Sequence, residues 1–242
     1  MGVPILLYLF LLVLSTNQAL IPKDFRTNVL RRLLLVVAHP DDECLFFSPT
    51  LRVLQSQHDI ELNLLVFSRG NHVGLGDIRA RELLGSCRVL HIPHERCLSL
   101  DLPNIQDNPK VWWSEQQLIP IINKYSHLWS IDLLITFDDQ GVSGHINHRA
   151  VASAIRQVIT RNNNTMIRKA YELKSVSLLR KYSSILDIYV VFMSFIPRFF
   201  RSLFSHVIPH QSQYSWDRHL YMIVSRYMFI NELNCIEKGN IV

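Results

Sequence analysis

Continuous apolar runs alternate along this chain with segments in which apolar residues recur every three to four positions. The runs have the length of strands and hold few charges, which is typical of strands buried on both faces of a sheet. They are residues 33–38, 62–67, 97–102, 131–137 and 171–177. The periodic segments predict helices at residues 49–57, 78–90, 113–125 and 145–160. Strands that alternate with helices predict βαβ units, and hence an α/β fold with a mainly parallel sheet flanked by helices.

Polar clusters follow two of these predicted strands directly. The first cluster, Ala-His-Pro-Asp-Asp-Glu at residues 38–43, begins at the last residue of the first strand. The second, a Gly-rich loop with two histidines at residues 138–148, follows the fourth strand. Carboxylates are almost never fully buried unless they are paired or bound to a metal. Open α/β sheets bind ligands beyond the carboxyl ends of their strands. We therefore expect the two clusters to meet in one site at a single edge of the sheet.

The side chains in these clusters are ones that a catalytic metal needs. His39 and Asp42 lie three residues apart on one turn, and His148 comes from the second cluster. Two imidazoles, one carboxylate and a water make a tetrahedral zinc site with an open position. Asp41 and His145 are then left as a spare carboxylate and a spare imidazole, which hydrolysis uses for proton transfer. The sequence thus predicts Zn²⁺, or another divalent metal, beside an acid–base pair.

Two apolar stretches predict contact with a membrane. Residues 1–22 carry no charged side chain, and basic residues follow them directly. This favours an uncleaved N-terminal membrane anchor with a cytosolic catalytic domain over a cleaved signal peptide. Residues 185–204 are interpreted either as a membrane-apposed segment or as a buried core helix. We divide the chain into an anchor at 1–22 and one catalytic domain at 23–242.

Charge and cysteine content exclude several other classes of protein. The net charge of +5 suits an anionic membrane surface. The chain has no zinc-finger or RNA-recognition signature and no packed basic tract, so nucleic acid is not expected as a partner. Its four cysteines have no CxxC spacing, which predicts neither a zinc ribbon nor a dense disulfide framework.

The motifs resemble those of a known family. Ala-His-Pro-Asp-Asp-Glu followed much later by Gly-His-x-x-His is similar to the LmbE-like zinc-dependent de-N-acetylases. Residues 136–145, 175–182 and 225–228 resemble the branch that acts on N-acetylglucosaminyl-phosphatidylinositol. The resemblance implies a Rossmann-like fold. It also implies hydrolysis of that glycolipid to glucosaminyl-phosphatidylinositol and acetate, in glycosylphosphatidylinositol-anchor biosynthesis at the cytosolic face of the endoplasmic reticulum membrane.

The resemblance also assigns roles to residues. Carried onto this chain, it makes His39, Asp42 and His148 the zinc ligands. Asp41 becomes the general base, and a protonated His145 stabilises the oxyanion. Asp41 or His145 then protonates the leaving amine.

Supporting roles are left open at this point. The family often has Gly-Glu-x-Arg-x-x-Glu in the second loop, whereas this chain has Asp77 where Glu is usual. Arg79 either binds the substrate's phosphate or sugar or pairs internally with Glu82. Asp138 or Asp139 either orients His145 or caps its loop. A further acid, at position 43, caps or orients the helix that follows it.

Two other functions compete with this one. The first is a metal-dependent deacetylase of another N-acetyl sugar, which the apolar stretches argue against. The second is a non-catalytic, membrane-anchored scaffold with a vestigial site. The complete set of candidate ligands and acid–base residues argues against a scaffold.

Overall fold

The computed structural model of the chain describes residues 29–161, 169–178, 209–213, 215–228 and 231–237, together with Pro22, Phe25, Ile167 and Lys181. Within this part of the chain one six-stranded sheet has the order β3-β2-β1-β4-β5-β6. The strands are β1 (Arg31–Val37), β2 (Ile60–Val66), β3 (Cys97–Ser99), β4 (Leu133–Phe137), β5 (Lys169–Leu173) and β6 (Leu233–Ile236). The first five pair in parallel, and β6 runs antiparallel to β5.

Helices connect the strands and cover both faces of the sheet. They are α1 (Asp42–Leu45), α2 (Ser48–Gln55), α3 (Gly76–Val89), α4 (Glu115–Leu128), α5 (Ile146–Arg161) and α6 (Trp216–Val224), with a short helical turn at Gly141–Gly144. Apolar residues of α2 and α3 form one core, and those of α4 and most of α5 form the other. The predicted mainly parallel α/β fold with flanking helices is therefore confirmed.

The apolar run of β1 is explained by its central place in the sheet. Leu33 and Leu35 pack into the core on one face, and Leu34 and Val36 pack into the core on the other. A strand buried on both faces needs apolar side chains at every position, so its sequence shows no alternation. The polar cluster at residues 38–43 thus begins where this strand ends.

The two polar clusters follow neighbouring strands. Chain order reverses between β1 and β4, because β2 and β3 lie on one side of this pair and β5 and β6 on the other. The strands are in register from Leu33 opposite Leu133, and the Thr136 hydroxyl donates a 2.9 Å hydrogen bond to the Val36 carbonyl. Ligands of doubly wound sheets bind in the crevice at such a reversal. Residues 38–43 and 138–148 both start at this crevice.

Two further features bear on the membrane and on redox chemistry. No helix among the described residues is long and apolar enough to cross a membrane. All of the predicted anchor except Pro22, and all of residues 185–204, lie outside the described residues. Cys87 of α3 and Cys97 of β3 form a disulfide, a pairing that the spacing of the cysteines did not predict.

One ion pair fixes α5 against the edge of the parallel strands, and it generates a stability prediction. Arg156 donates hydrogen bonds of 2.5 and 2.6 Å to the two carboxylate oxygens of Glu172, which is almost fully buried on β5. In Arg156→Leu this buried carboxylate loses its partner, which costs about 1–3 kcal/mol of unfolding free energy. We expect the loss to appear as a lower midpoint in urea denaturation.

The matched control for this prediction is Arg161→Leu, on the same helix. Arg161 is exposed and bonds Gln157 of its own helix. Its replacement should stay within about 0.5 kcal/mol of the starting protein. Equal urea midpoints for the two variants would contradict a stabilising role for the Arg156 pair.

Candidate active site

Asp42 opens α1 and is tied to the end of β1. Its Oδ2 accepts hydrogen bonds from the backbone N–H groups of Ala38, at 3.1 Å, and His39, at 2.8 Å. Its Oδ1 lies 3.2 Å from Nε2 of His148. Burial alone would raise the pKa of Asp42, but His148 and His39 hold it well below its usual range. The carboxylate is therefore ionised and fixed in position.

His148 is oriented by the loop that follows β4. Its Nδ1 lies 3.1 Å from the carbonyl of Gly141, which can only accept a hydrogen bond, so Nδ1 carries a proton and Nε2 is the nitrogen that faces Asp42. The ring stacks on Phe137, with centroids 4.1 Å apart and planes 3° apart. A ring whose Nδ1–H is held by a backbone carbonyl, with Nε2 directed into the site, is typical of a metal-binding histidine.

Two more imidazoles complete the cluster. Candidate ligand nitrogens of His39, His145 and His148 all lie within 4.8 Å of one another. Nε2 of His39 is buried without a hydrogen bond, although Oδ1 of Asp107 lies 3.2 Å away. Asp42 lies beside two of these rings, with its Oδ1 3.2 Å from Nε2 of His148 and its Oδ2 3.7 Å from Nδ1 of His39.

These donors fit a divalent metal ion. Imidazole nitrogens and carboxylate oxygens are the ligand types of catalytic zinc sites. A buried imidazole nitrogen without a hydrogen bond leaves a donor available. Three buried or nearly buried carboxylates, Asp41, Asp42 and Asp107, surround His39 with negative charge, which a cation would offset.

Asp41 lies next to this cluster in an unusual backbone conformation. Its φ of 107° is in the left-handed region, which non-glycine residues rarely occupy. Its Oδ2 lies 3.0 Å from Nη1 of Arg218, and its Oδ1 lies 3.5 Å from Nη2 of Arg79. Burial raises the pKa of Asp41, even though both guanidinium groups lower it. Asp41 is thus a buried carboxylate held between two arginines.

His145 is partly buried and accepts a backbone hydrogen bond. Its Nδ1 accepts a 3.3 Å hydrogen bond from the backbone N–H of Asn147, so the proton of the neutral ring is on Nε2. Burial, together with the charges of His39 and His148, lowers the pKa of His145 to about 4. Both features favour the neutral imidazole, and the protonation state of His145 during the reaction stays a prediction.

Arg79 and Glu82 have separate partners. The Arg79 guanidinium donates 2.7 Å hydrogen bonds to the carbonyls of Gly70 and Pro40, and its side chain is largely buried. Glu82 accepts hydrogen bonds from the N–H and hydroxyl groups of Ser212, at 2.6 and 2.5 Å. Arg79 therefore holds the loop that carries Asp41, and Glu82 binds the C-terminal part of the chain.

Asp138 and Asp139 serve the loop after β4. Asp138 accepts hydrogen bonds from the N–H of Gly141, at 3.1 Å, and from the hydroxyl and N–H of Ser175, both at 2.6 Å. Asp139 is mostly exposed and pairs with Arg156 at 3.4 Å. Of the two roles left open by the sequence, the structure shows Asp138 in that of a loop cap.

Sequence reasoning missed several residues that touch the site. Asp107 follows β3, so the rule that strand ends carry the site could have pointed to it. His210, Ser212 and Arg218 come from the C-terminal part, where no local pattern marks them. They reach the site only through the fold.

The fold and the donor set together define a class: α/β proteins with a candidate metal site at the switch point of the sheet. A family model described as PIG-L: GlcNAc-PI de-N-acetylase matches residues 34–159. The N-acetylglucosaminyl-phosphatidylinositol de-N-acetylase of Bos taurus is 38% identical to this chain, covering 84% of it and 83% of the bovine protein. The enzyme of the same name from Saccharomyces cerevisiae is 27% identical, covering 83% of this chain and 80% of its own.

The chain belongs to the GlcNAc-PI de-N-acetylase family, a family of deacetylases. The predicted family and the prediction of a deacetylating enzyme are thereby confirmed. A solved structure, N,N'-diacetylchitobiose deacetylase from Pyrococcus horikoshii, has a TM-score of 0.58 at 14% sequence identity. It covers 85% of this chain and 84% of its own, and at that identity the likeness is one of fold.

The position of His148 depends on Gly141, which generates a prediction. Gly141 has a φ of +59°, and a Cβ there would lie 2.9 Å from Cβ of His148. Gly74 has a φ of +78° with nothing within 4 Å of such a Cβ. Both Gly→Ala variants should lose about 1–2 kcal/mol from left-handed strain. Only Gly141→Ala should also displace His148 and lower metal content, measured by elemental analysis after dialysis. Equal metal content in the two variants would contradict this.

Proposed function

We propose that this protein hydrolyses the N-acetyl group of N-acetylglucosaminyl-phosphatidylinositol, using a bound Zn²⁺. The observation that carries the proposal is the group of three imidazoles at the β1/β4 crevice, with Asp42 against His148 and the arginine-held Asp41 next to Asp42 in the chain. Amide hydrolysis needs an activated water, a group that accepts its proton and a donor for the oxyanion. This cluster supplies side chains of each kind.

His39, Asp42 and His148 would hold the metal. Their atoms are already oriented by groups outside the site: the amides of residues 38 and 39 bind Asp42, and the Gly141 carbonyl binds His148. When bound, Zn²⁺ supplies Lewis acidity, which activates water and polarises the amide carbonyl. A different divalent metal would fit the same donors.

Asp41 accepts the proton of the attacking water in this mechanism. The hydroxyl adds to the acetyl carbon, and the C–N bond breaks to give acetate and the free amine. The proton that Asp41 collected is then available to the leaving nitrogen. Arg218 and Arg79 hold the Asp41 carboxylate from two sides, which limits its rotation between these steps.

His145 serves as donor to the developing oxyanion. Because its Nδ1 is occupied by the Asn147 amide, its Nε2–H is the group available to the carbonyl oxygen. A positioned donor of this kind lowers the activation barrier by about 3–4 kcal/mol. Arg79 donates hydrogen bonds to two backbone carbonyls, which supports a role in holding the Asp41 loop. Its contact with the substrate is a second, predicted role.

The proposed substrate and location are supported by the relatives and by the apolar N-terminal segment. The bovine and yeast relatives carry the name of the glycolipid de-N-acetylase. We place the enzyme in glycosylphosphatidylinositol-anchor biosynthesis at the endoplasmic reticulum, anchored by residues 1–22 with its catalytic domain cytosolic. The Cys87–Cys97 disulfide is more typical of an oxidising compartment, so the redox state of this pair in cells bears directly on that topology.

Acetate release tests the proposed reaction. Full-length protein in detergent should release acetate from N-acetylglucosaminyl-phosphatidylinositol, with one free amine formed per acetate. A chelator should abolish release because it removes the Lewis acid, and added Zn²⁺ should restore it. Preference for lipid-free N-acetyl sugars would favour the first alternative function, and no release from either substrate would favour a scaffold.

Asp41→Asn separates chemistry from metal binding. Asparagine keeps the shape of the side chain but cannot accept a proton, so turnover should fall by about 10²–10⁴-fold. Zinc content should stay near that of the starting protein, whereas His148→Ala should lose zinc along with activity. Near-unchanged turnover of Asp41→Asn would show that another group is the base.

A further inference from the structure

Glu43 connects the candidate base to a distant part of the chain. Its Oε2 accepts a 3.0 Å hydrogen bond from the backbone N–H of Asp41. Its Oε1 lies 2.8 Å from Nε2 of His210, which is 167 positions further along. Both Glu43 and His210 are fully buried, with no exposed side-chain surface. An imidazole therefore acts on the Asp41 backbone through one carboxylate.

This connection matters because of the backbone conformation of Asp41. A left-handed φ at a non-glycine residue costs about 1–3 kcal/mol and persists only where the surroundings enforce it. Glu43 provides such enforcement, since its carboxylate fixes the Asp41 N–H within this turn. A relaxed backbone at residue 41 would point the carboxylate in another direction.

His210 is itself held firmly. The N–H and hydroxyl groups of Ser212 bind Glu82 of α3, and the Gln213 side-chain amide lies 3.2 Å from Nδ1 of His210. Pro209 packs against Gly85 of α3, where an added Cβ would lie 3.1 Å from Cβ of the proline. Residues 209–213 are thus fastened to α3, and the imidazole is presented to Glu43 from a fixed support.

We propose that His210 is a positioning residue for the deacetylation: through Glu43 it holds the left-handed turn at Asp41 and so aims the Asp41 carboxylate. This inference rests on the proposed function, in which Asp41 is the base. His210 does not meet the substrate, because it is completely buried. Its loss should therefore act on the chemical step and leave substrate binding in place.

The first test is His210→Ala in the full-length protein, with acetate release from the glycolipid as the assay. We expect kcat to fall by about 10- to 100-fold, as misplacement of a catalytic group does. KM should stay within about twofold, and zinc content should be unchanged. Hydrogen–deuterium exchange of the peptide that contains residue 41 should be faster, which is a readout independent of activity. His58→Ala, at an exposed site before β2, is the matched control and should behave like the starting protein.

Conservative variants keep the test decisive if His210→Ala folds poorly. In His210→Gln the side-chain amide can still donate to Glu43, so kcat should recover toward the starting value. Glu43→Gln keeps shape and volume but weakens the contact with His210. Because His210→Ala and Glu43→Gln act through the same contact, the variant that carries both should lose as much kcat as the more affected single variant. It should not show the product of the two single losses.

The outcomes separate this inference from the proposed function. If the starting protein releases no acetate, the proposed function fails and the positioning role fails with it. If the starting protein is active and Asp41→Asn is not, but His210→Ala keeps full kcat per zinc-loaded site, only the positioning role is wrong. A rise in KM at unchanged kcat would overturn it equally.

Discussion

Three consecutive acids buried at the end of one strand are the constraint around which this site is built. Asp41, Asp42 and Glu43 are each almost fully enclosed. Buried carboxylates are costly unless each one is paired and hydrogen-bonded. The compensation comes from different places: strand-end amides and His148 for Asp42, His210 for Glu43, and two arginines for Asp41. Meeting this requirement brings together the elements that form the site.

The sequence predicted the parts of the fold that depend on local pattern. Strands β1 and β4 are buried on both faces, so their sequences are apolar at most positions and easily recognised. The rule that ligands bind at the carboxyl ends of parallel strands then predicts that His39 and His148 lie at one edge of the sheet. Strand β6 has only four residues and runs antiparallel, and no periodic signal marked it.

The remaining features depend on contacts between residues far apart in the chain. The bond between Glu43 and His210 spans 167 positions, and Arg218 reaches Asp41 across a similar distance. Nothing in the spacing of these residues encodes their proximity. The lowered pKa of His145 has a related origin. It depends on burial and on two imidazoles brought close by the fold.

The division of the site between the two ends of the chain has a consequence for its synthesis. The segment matched by the family model, residues 34–159, contains every predicted metal donor, whereas His210 and Arg218 lie well beyond it. A ribosome therefore delivers His148, the last of these donors, 62 positions before His210. Under the proposed function, the growing polypeptide therefore has its metal donors before it has the residue that positions its base, and it acquires its reactivity late.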